Sequence, residues 1–135
     1  MTFSLKLGAV FRVKKFRGRG YREKPRYLIY FGSCSSGLIF FTTTTQKQFY
    51  EIGKRSEIPF YFFKKGHPCS SQECVLDIKG YYLFTEEEFF NFNPELTGFL
   101  IEEEIKECLR VITFDNPDLP EEIYKTLRDL LVKSL

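Results

Sequence analysis

The sequence predicts an α+β chain: a small curled sheet or barrel of about five to seven strands, with C-terminal helices packed on it. Three observations point there. Apolar runs of strand length, rich in β-branched and aromatic residues, fill the first 85 positions. Helix caps and a 3.6-residue apolar spacing take over from Glu86 onward. Sixteen Phe and eight Tyr without a single Trp favour strands around a bulky core. At 135 residues with 43% hydrophobic content, one domain is expected, mainly β over 1–85 and mainly helical over 86–135. No internal repeat, linker or low-complexity boundary divides it.

Gly8 to Lys14 alternates Ala9, Phe11 and Val13 against Val10, Arg12 and Lys14, the pattern of a half-exposed strand. After a basic loop, Arg26 to Phe31 reads as a buried strand. The cluster Gly32-Ser33-Cys34-Ser35-Ser36-Gly37 is a turn, so Leu38 to Thr43 returns antiparallel. Both strands are nearly continuous in apolar residues, which fits an interior hairpin. Gln48 to Lys54 reads as a short helix or a connecting loop, and Ile58 to Phe63 as a strand ended by Lys64-Lys65-Gly66-His67-Pro68. Cys74 to Leu83 is a long strand, with Gly80 marking a bulge or sharp bend.

Thr85-Glu86-Glu87-Glu88 has the form of a capping box opening a short helix through Phe90. Asn93 followed by Pro94 predicts an N-cap with proline at the first helical position. Ile101, Ile105, Cys108, Leu109 and Ile112 form the apolar stripe of that helix. Asn116 and Pro117 separate it from a last helix opening at Asp118-Leu119-Pro120-Glu121, which buries Ile123, Leu127, Leu130 and Leu131.

The net charge of +2 conceals a division. Residues 1–85 carry fifteen Lys/Arg and five Asp/Glu, a difference of +10; residues 86–135 carry five and thirteen, a difference of −8. A basic half suits a polyanion, although attraction between the halves, within the fold or across a dimer, accounts for the division almost as well. The charge is densest from Lys14 to Arg26, where Lys14, Lys15, Arg17, Arg19, Arg22, Lys24 and Arg26 accompany only Glu23. Phe16 and Tyr21 are interleaved, and Gly18 and Gly20 oppose regular structure. Cations for phosphates beside aromatic faces for unstacked bases make Lys14, Lys15, Phe16, Arg17, Arg19, Tyr21 and Arg22 the candidate nucleic-acid-binding set. The plain alternative is a solvated loop that keeps the protein soluble.

Lys6 and Arg12 interrupt the N-terminal apolar run, so no secretory segment is expected, and no stretch approaches the roughly 20 apolar residues of a membrane span. A cytoplasmic protein with Cys34, Cys69, Cys74 and Cys108 as reduced thiols is the expectation. His67, Cys69, Cys74 and Cys34 supply zinc-ligand atom types without CxxC spacing, so no metal or other cofactor is assigned. His67, the lone histidine, reads better as a loop residue than as an acid/base. The runs Glu86 to Glu88 and Glu102 to Glu104 complement helix dipoles at first turns rather than forming a carboxylate site. Walker A, GxGxxG, HExxH and GxSxG sequences are all absent.

Thr42-Thr43-Thr44-Thr45-Gln46 occupies the end of the third strand, where a rigid sheet can hold functional side chains. Either Thr42 and Thr44 or Thr43 and Thr45 face the basic loop, with hydroxyls able to donate to a phosphate oxygen. High strand propensity explains the same threonines without function. Lys24 and Arg26, two apart in an extended segment, point the same way. There they either stabilise charge on a phosphodiester or guard an edge strand against aggregation.

The order of these segments resembles the MazF/PemK (Kid) family of toxin-antitoxin ribonucleases. The matching stretches are Gly8-Ala9-Val10-Phe11, the strand entry Lys24-Pro25-Arg26-Tyr27-Leu28-Ile29, the turn Thr42 to Gln46, the strand start Cys74-Val75-Leu76 and the C-terminal helix. Roughly residues 8–90 are covered. The resemblance implies an SH3-like barrel, a homodimer with a small antitoxin partner, and metal-independent cleavage of single-stranded RNA by attack of the 2′-hydroxyl on the adjacent phosphate. It implies Lys24 as the catalytic cation, at a position where the family has arginine and with Arg26 the nearest replacement. It implies Thr42 or Thr43 as the catalytic hydroxyl. Gly80 and Tyr82 stand where the family's later strand carries a Gln-x-Arg-type signature. The alternative is a non-catalytic nucleic-acid- or protein-binding module on the same barrel.

Overall fold

A computed structural model describes residues 5–17, 23–44, 62–63, 74–114, 116 and 119–133. Six strands, β1 (Ala9–Phe16), β2 (Lys24–Cys34), β3 (Gly37–Thr44), β4 (Phe62–Phe63), β5 (Cys74–Phe84) and β6 (Glu95–Phe99), form one sheet. Their order is β4-β5-β3-β2-β1-β6, and every neighbouring pair is antiparallel. Helices α1 (Glu86–Asn91), α2 (Glu102–Thr113) and α3 (Glu121–Lys133) complete the described elements. Among the described residues no pairing joins β4 to β6, so the sheet is an open one. The mixed α+β class is as predicted. No described helix is long and apolar enough to cross a membrane.

β2 and β3 pair as the expected hairpin, with Leu28 opposite Thr42 and Tyr30 opposite Phe40. The turn is tighter than the cluster from Gly32 to Gly37 suggested. Cys34 pairs with Gly37, leaving Ser35 and Ser36 as the loop, and a register shift between Tyr30 and Ser33 absorbs the extra strand length. Both strands are apolar almost throughout because both faces of the sheet are covered. Ile29, Phe31, Ile39 and Phe41 pack with Cys108, Leu109, Ile112, Ile123, Leu127 and Leu131 from α2 and α3. The alternate residues Leu28, Tyr30, Leu38 and Phe40 pack with Ala9, Phe11, Val13, Phe16 and Phe89 on the α1 face.

That second face is aromatic and strongly curled. The Phe16 ring of β1 meets the Tyr82 ring of β5 at 5.0 Å, edge to face. Three strand spacings separate β1 from β5, about 14 Å in a flat sheet, and side chains of a flat sheet stand parallel without touching. The contact therefore requires a concave α1 face, closed over by Phe84, Phe89 and Phe92.

One expected element is overturned. Asn93 and Pro94 do not open a helix; Glu95–Phe99 is the edge strand β6, paired to β1 with Ala9 opposite Phe99 and Arg12 opposite Glu95. Asn93 instead terminates α1, taking φ 53° while its N–H donates to the Phe90 carbonyl at 3.0 Å. Asparagine tolerates this left-handed conformation better than most residues, so the same side chain suits a helix stop as well as a start. Gly98 would cost a helix interior about 1 kcal/mol, whereas the strand hydrogen-bonds the outer edge of β1. Helix α2 opens later, at Glu102, where Glu104 reaches back to the Ile101 N–H at 3.1 Å. Ile101 is thus exposed outside the helix, while Cys108, Leu109 and Ile112 hold the buried stripe. The capping box at Thr85 is present in full: its Oγ1 accepts from the Glu88 N–H at 3.1 Å and its N–H donates to Glu88 at 2.9 Å.

Candidate nucleic-acid interface

The basic segment begins in a bulge. Val13 pairs with Arg26 and Phe16 with Lys24, three steps along β1 against two along β2. The extra residue leaves Lys14 and Lys15 both exposed, and Phe16 then turns back into the core. A bulge re-aims side chains in this way without ending the strand. Arg17 is exposed beyond it. Arg19, Tyr21 and Arg22 lie outside the described residues.

Phe16 corrects the expected binding set. Its side chain is 2% exposed and its ring contacts those of Tyr82, Phe84 and Phe92. A ring so enclosed cannot offer its face to a base. The interleaving of aromatic and basic residues at this point reflects a core anchor between surface lysines.

Residues directly opposite one another in an antiparallel pair share a face. Arg26 is opposite Val13, Lys24 opposite Phe16, and Thr42 opposite Leu28, and all three partners belong to the aromatic face. Thr43 is opposite Leu76, which belongs to the α2–α3 face. Of the two candidate hydroxyls, the sheet therefore puts Thr42 with the cations and Thr43 on the other side. Along β2, Arg26 is two residues from Leu28 and Lys24 is four, about 7 and 13 Å at strand spacing. Arg26 is half-buried and within diagonal reach of Thr42; Lys24 is exposed at the rim. By register, Arg26 is the cation closer to the hydroxyl.

Thr42 is itself 5% exposed, and its hydroxyl donates to the Gly80 carbonyl at 3.4 Å. Gly80 sits in the bend anticipated from the sequence. Phe41 is opposite Tyr81 and Thr43 opposite Leu76, so two steps of β3 match five of β5. The Ile78 carbonyl within this bulge accepts from Asn116 Nδ2 at 3.2 Å, which ties the bulge to the end of α2. A Cβ at Gly80 would stand 2.3 Å from Thr42 Oγ1 and 2.8 Å from Asp77 Oδ2. The Thr42 hydroxyl and Asp77 carboxylate thus crowd one point, which only glycine leaves clear. Asp77 Oδ1 also accepts from the Lys79 N–H at 3.1 Å.

Asp77 was not among the candidates from the sequence. An isolated acid inside a strand carries no motif; only the bulge turns its carboxylate toward Thr42. A half-buried arginine, a hydroxyl and a carboxylate on one concave face can hold a phosphodiester and take a proton from a hydroxyl beside it.

Cys34 and Cys74 flank opposite ends of β3, where Cys34 pairs with Gly37 and Thr44 with Val75. The six steps along β3 from Leu38 to Thr44 span about 20 Å, so these two thiols cannot share an ion. His67 and Cys69 lie outside the described residues, and no group of three His, Cys, Asp or Glu among the described residues could hold a metal. No protein-family model matches the chain, and no curated protein matches it either.

Proposed function

We propose that this protein binds single-stranded RNA along the concave end of the sheet formed by the β1 bulge and the entry to β2. The observation that carries this reading is the register: Arg26, Lys24 and Thr42 share the aromatic face, beside two exposed lysines in a bulge. Lysine and arginine fix the strand through its phosphates. The curl inferred from the contact between Phe16 and Tyr82 favours an SH3-like barrel as the wider architecture. A cytoplasmic homodimer with a small antitoxin partner goes with the MazF/PemK-like reading.

A second reading extends the first to metal-independent, toxin-like cleavage, favoured by the convergence of Thr42 and Asp77 above Gly80. In that reaction the RNA 2′-oxygen bonds to the adjacent phosphorus and the bond from phosphorus to the 5′-oxygen breaks. The products are a 2′,3′-cyclic phosphate and a 5′-hydroxyl end. Arg26 stabilises the charge on the pentacoordinate phosphorus. Asp77 accepts the 2′-hydroxyl proton, Thr42 positions a phosphate oxygen, and the departing 5′-oxygen takes its proton from water. The burial of Thr42 and its bond to Gly80 favour the non-catalytic module.

One experiment separates these readings. Fluorescence anisotropy with a labelled single-stranded RNA across a salt series, in chelator, reports binding, and gel analysis of the same samples reports cleavage. Affinity should fall steeply with salt, with a slope lowered by about 0.7 for each phosphate contact removed by Arg26→Ala or Lys24→Ala. For cleavage, Arg26→Ala should be more damaging than Lys24→Ala. Salt-insensitive or absent binding would reject the RNA reading; binding without products would leave only the module.

A further inference from the structure

A groove of about 360 Å³ opens beside the β1 bulge, lined by Lys14, Lys15, Asn91, Phe92 and Asn93. It lies at the meeting of two local irregularities. The bulge between Val13 and Phe16 turns both lysines outward. The stop of α1 holds Asn91, Phe92 and Asn93 against them, with Asn93 in the left-handed conformation. The N–H groups of Phe92 and Asn93 already donate to the Phe89 and Phe90 carbonyls at 3.1 and 3.0 Å. The polar groups these residues can give a ligand are therefore their side chains and carbonyls.

The wall is rigid where it is aromatic. The half-buried Phe92 ring packs edge to face on Phe16 at 5.4 Å and on Phe84 at 5.1 Å. Lys24, opposite Phe16 on β2, brings the groove alongside the cationic strand entry. Among the described residues, neither Lys14 nor Lys15 has an ion-pair partner.

Each lining group answers to one part of a nucleotide. Ammonium groups suit a phosphate. A fixed aromatic ring suits the π-face of an unstacked base. A carboxamide, with donor and acceptor side by side, matches the hydrogen-bonding edge of a base. The volume is at the lower end of the roughly 300–1,000 Å³ of small-ligand sites, room for one nucleotide rather than a run of them. We propose that this groove seats a single nucleotide of the RNA strand, its phosphate on Lys14 and Lys15 and its base against Phe92. Asn91 and Asn93 read the base edge and so determine sequence preference. The inference rests on the RNA-binding reading and adds to it a defined subsite.

The test titrates the labelled full chain with each of the four nucleoside 5′-monophosphates and, separately, with inorganic phosphate, following backbone and carboxamide NMR signals. RNA affinity is measured in parallel. Asn91→Ala with Asn93→Gly removes both carboxamides, and glycine accepts the left-handed backbone at position 93. This variant should lose discrimination among the four nucleotides while phosphate binding persists. Lys14→Gln with Lys15→Gln should weaken all four by about tenfold or more, the scale of charge-assisted hydrogen bonds. Thermal unfolding of each variant verifies that the fold is retained.

If RNA binds and neither variant changes nucleotide affinity or preference, the subsite is wrong and the RNA reading stands. If nucleotides shift these residues but RNA does not bind, the groove is a nucleotide site and the RNA reading fails. If neither ligand binds, both fail. Shifts confined to another region also overturn the subsite.

Discussion

The Thr42 hydroxyl rests over Gly80, 3.4 Å from its carbonyl oxygen, at a point where no other residue type could stand. A Cβ there would lie 2.3 Å from Thr42 Oγ1, well inside contact distance. Threonine is short and stiff at χ1, so it cannot swing aside as a lysine would. Gly80→Ala should therefore destabilise the protein by about 1–3 kcal/mol, the scale of core overpacking. Urea denaturation measures it. Combining Gly80→Ala with Thr42→Ala should restore part of the loss, and a strictly additive pair would contradict the contact.

Phe16 offers a test of core against surface. Its ring touches three others and is 2% exposed, so Phe16→Ala should cost about 3–5 kcal/mol of stability. Phe16→Leu keeps much of the volume, should cost far less, and should leave RNA affinity unchanged. A large loss of RNA binding by a stably folded Phe16→Leu protein would return the ring to the interface.

The hairpin turn is fastened to α3 by a carboxylate. Ser35 and Ser36 both donate to Glu122, Ser36 at 2.8 Å, and these bonds hold the Glu122 carboxyl below its ordinary value of 4.5. A carboxylate whose folded pKa is depressed stabilises the fold above its unfolded value. That contribution is lost as pH falls through the folded one. Ser35→Ala with Ser36→Ala should thus lower the denaturation midpoint at pH 7, and the gap from the unaltered protein should close below about pH 4.5. A gap independent of pH would remove Glu122 from the account.

The described cysteines should differ sharply in reactivity. Burial, with Glu104 and Glu107 nearby, pushes the Cys108 thiol far above its ordinary range, so it carries almost no thiolate at neutral pH. Cys74 is buried as well, whereas Cys34 is half-exposed at the end of β2. Brief alkylation of the native protein, followed by peptide mass analysis, should label Cys34 and spare Cys74 and Cys108. Rapid labelling of Cys108 without denaturant would contradict the packing of α2 on the sheet.

Features written in neighbouring residues are legible before the chain folds. The capping box at Thr85 needs only four positions, and the α3 stripe of Ile123, Leu127 and Leu131 only a repeat of 3.6. The apolar hairpin from Tyr27 to Phe41 and the bend at Gly80 were legible for the same reason. Partnerships between distant segments are not legible in this way, because they depend on which strands and helices come to lie side by side. Asn93-Pro94 carries the chemistry of a helix start and of a helix stop alike, and the open edge of β1 selected the strand that follows. Phe16 has the sequence context of a surface aromatic, yet the curl of the sheet brings Tyr82 over it. Thr42 and Thr43 are equivalent in the sequence, and pairing with Leu28 and Leu76 puts them on opposite faces. A strand fixes which residues alternate, but only its neighbours fix which face is which.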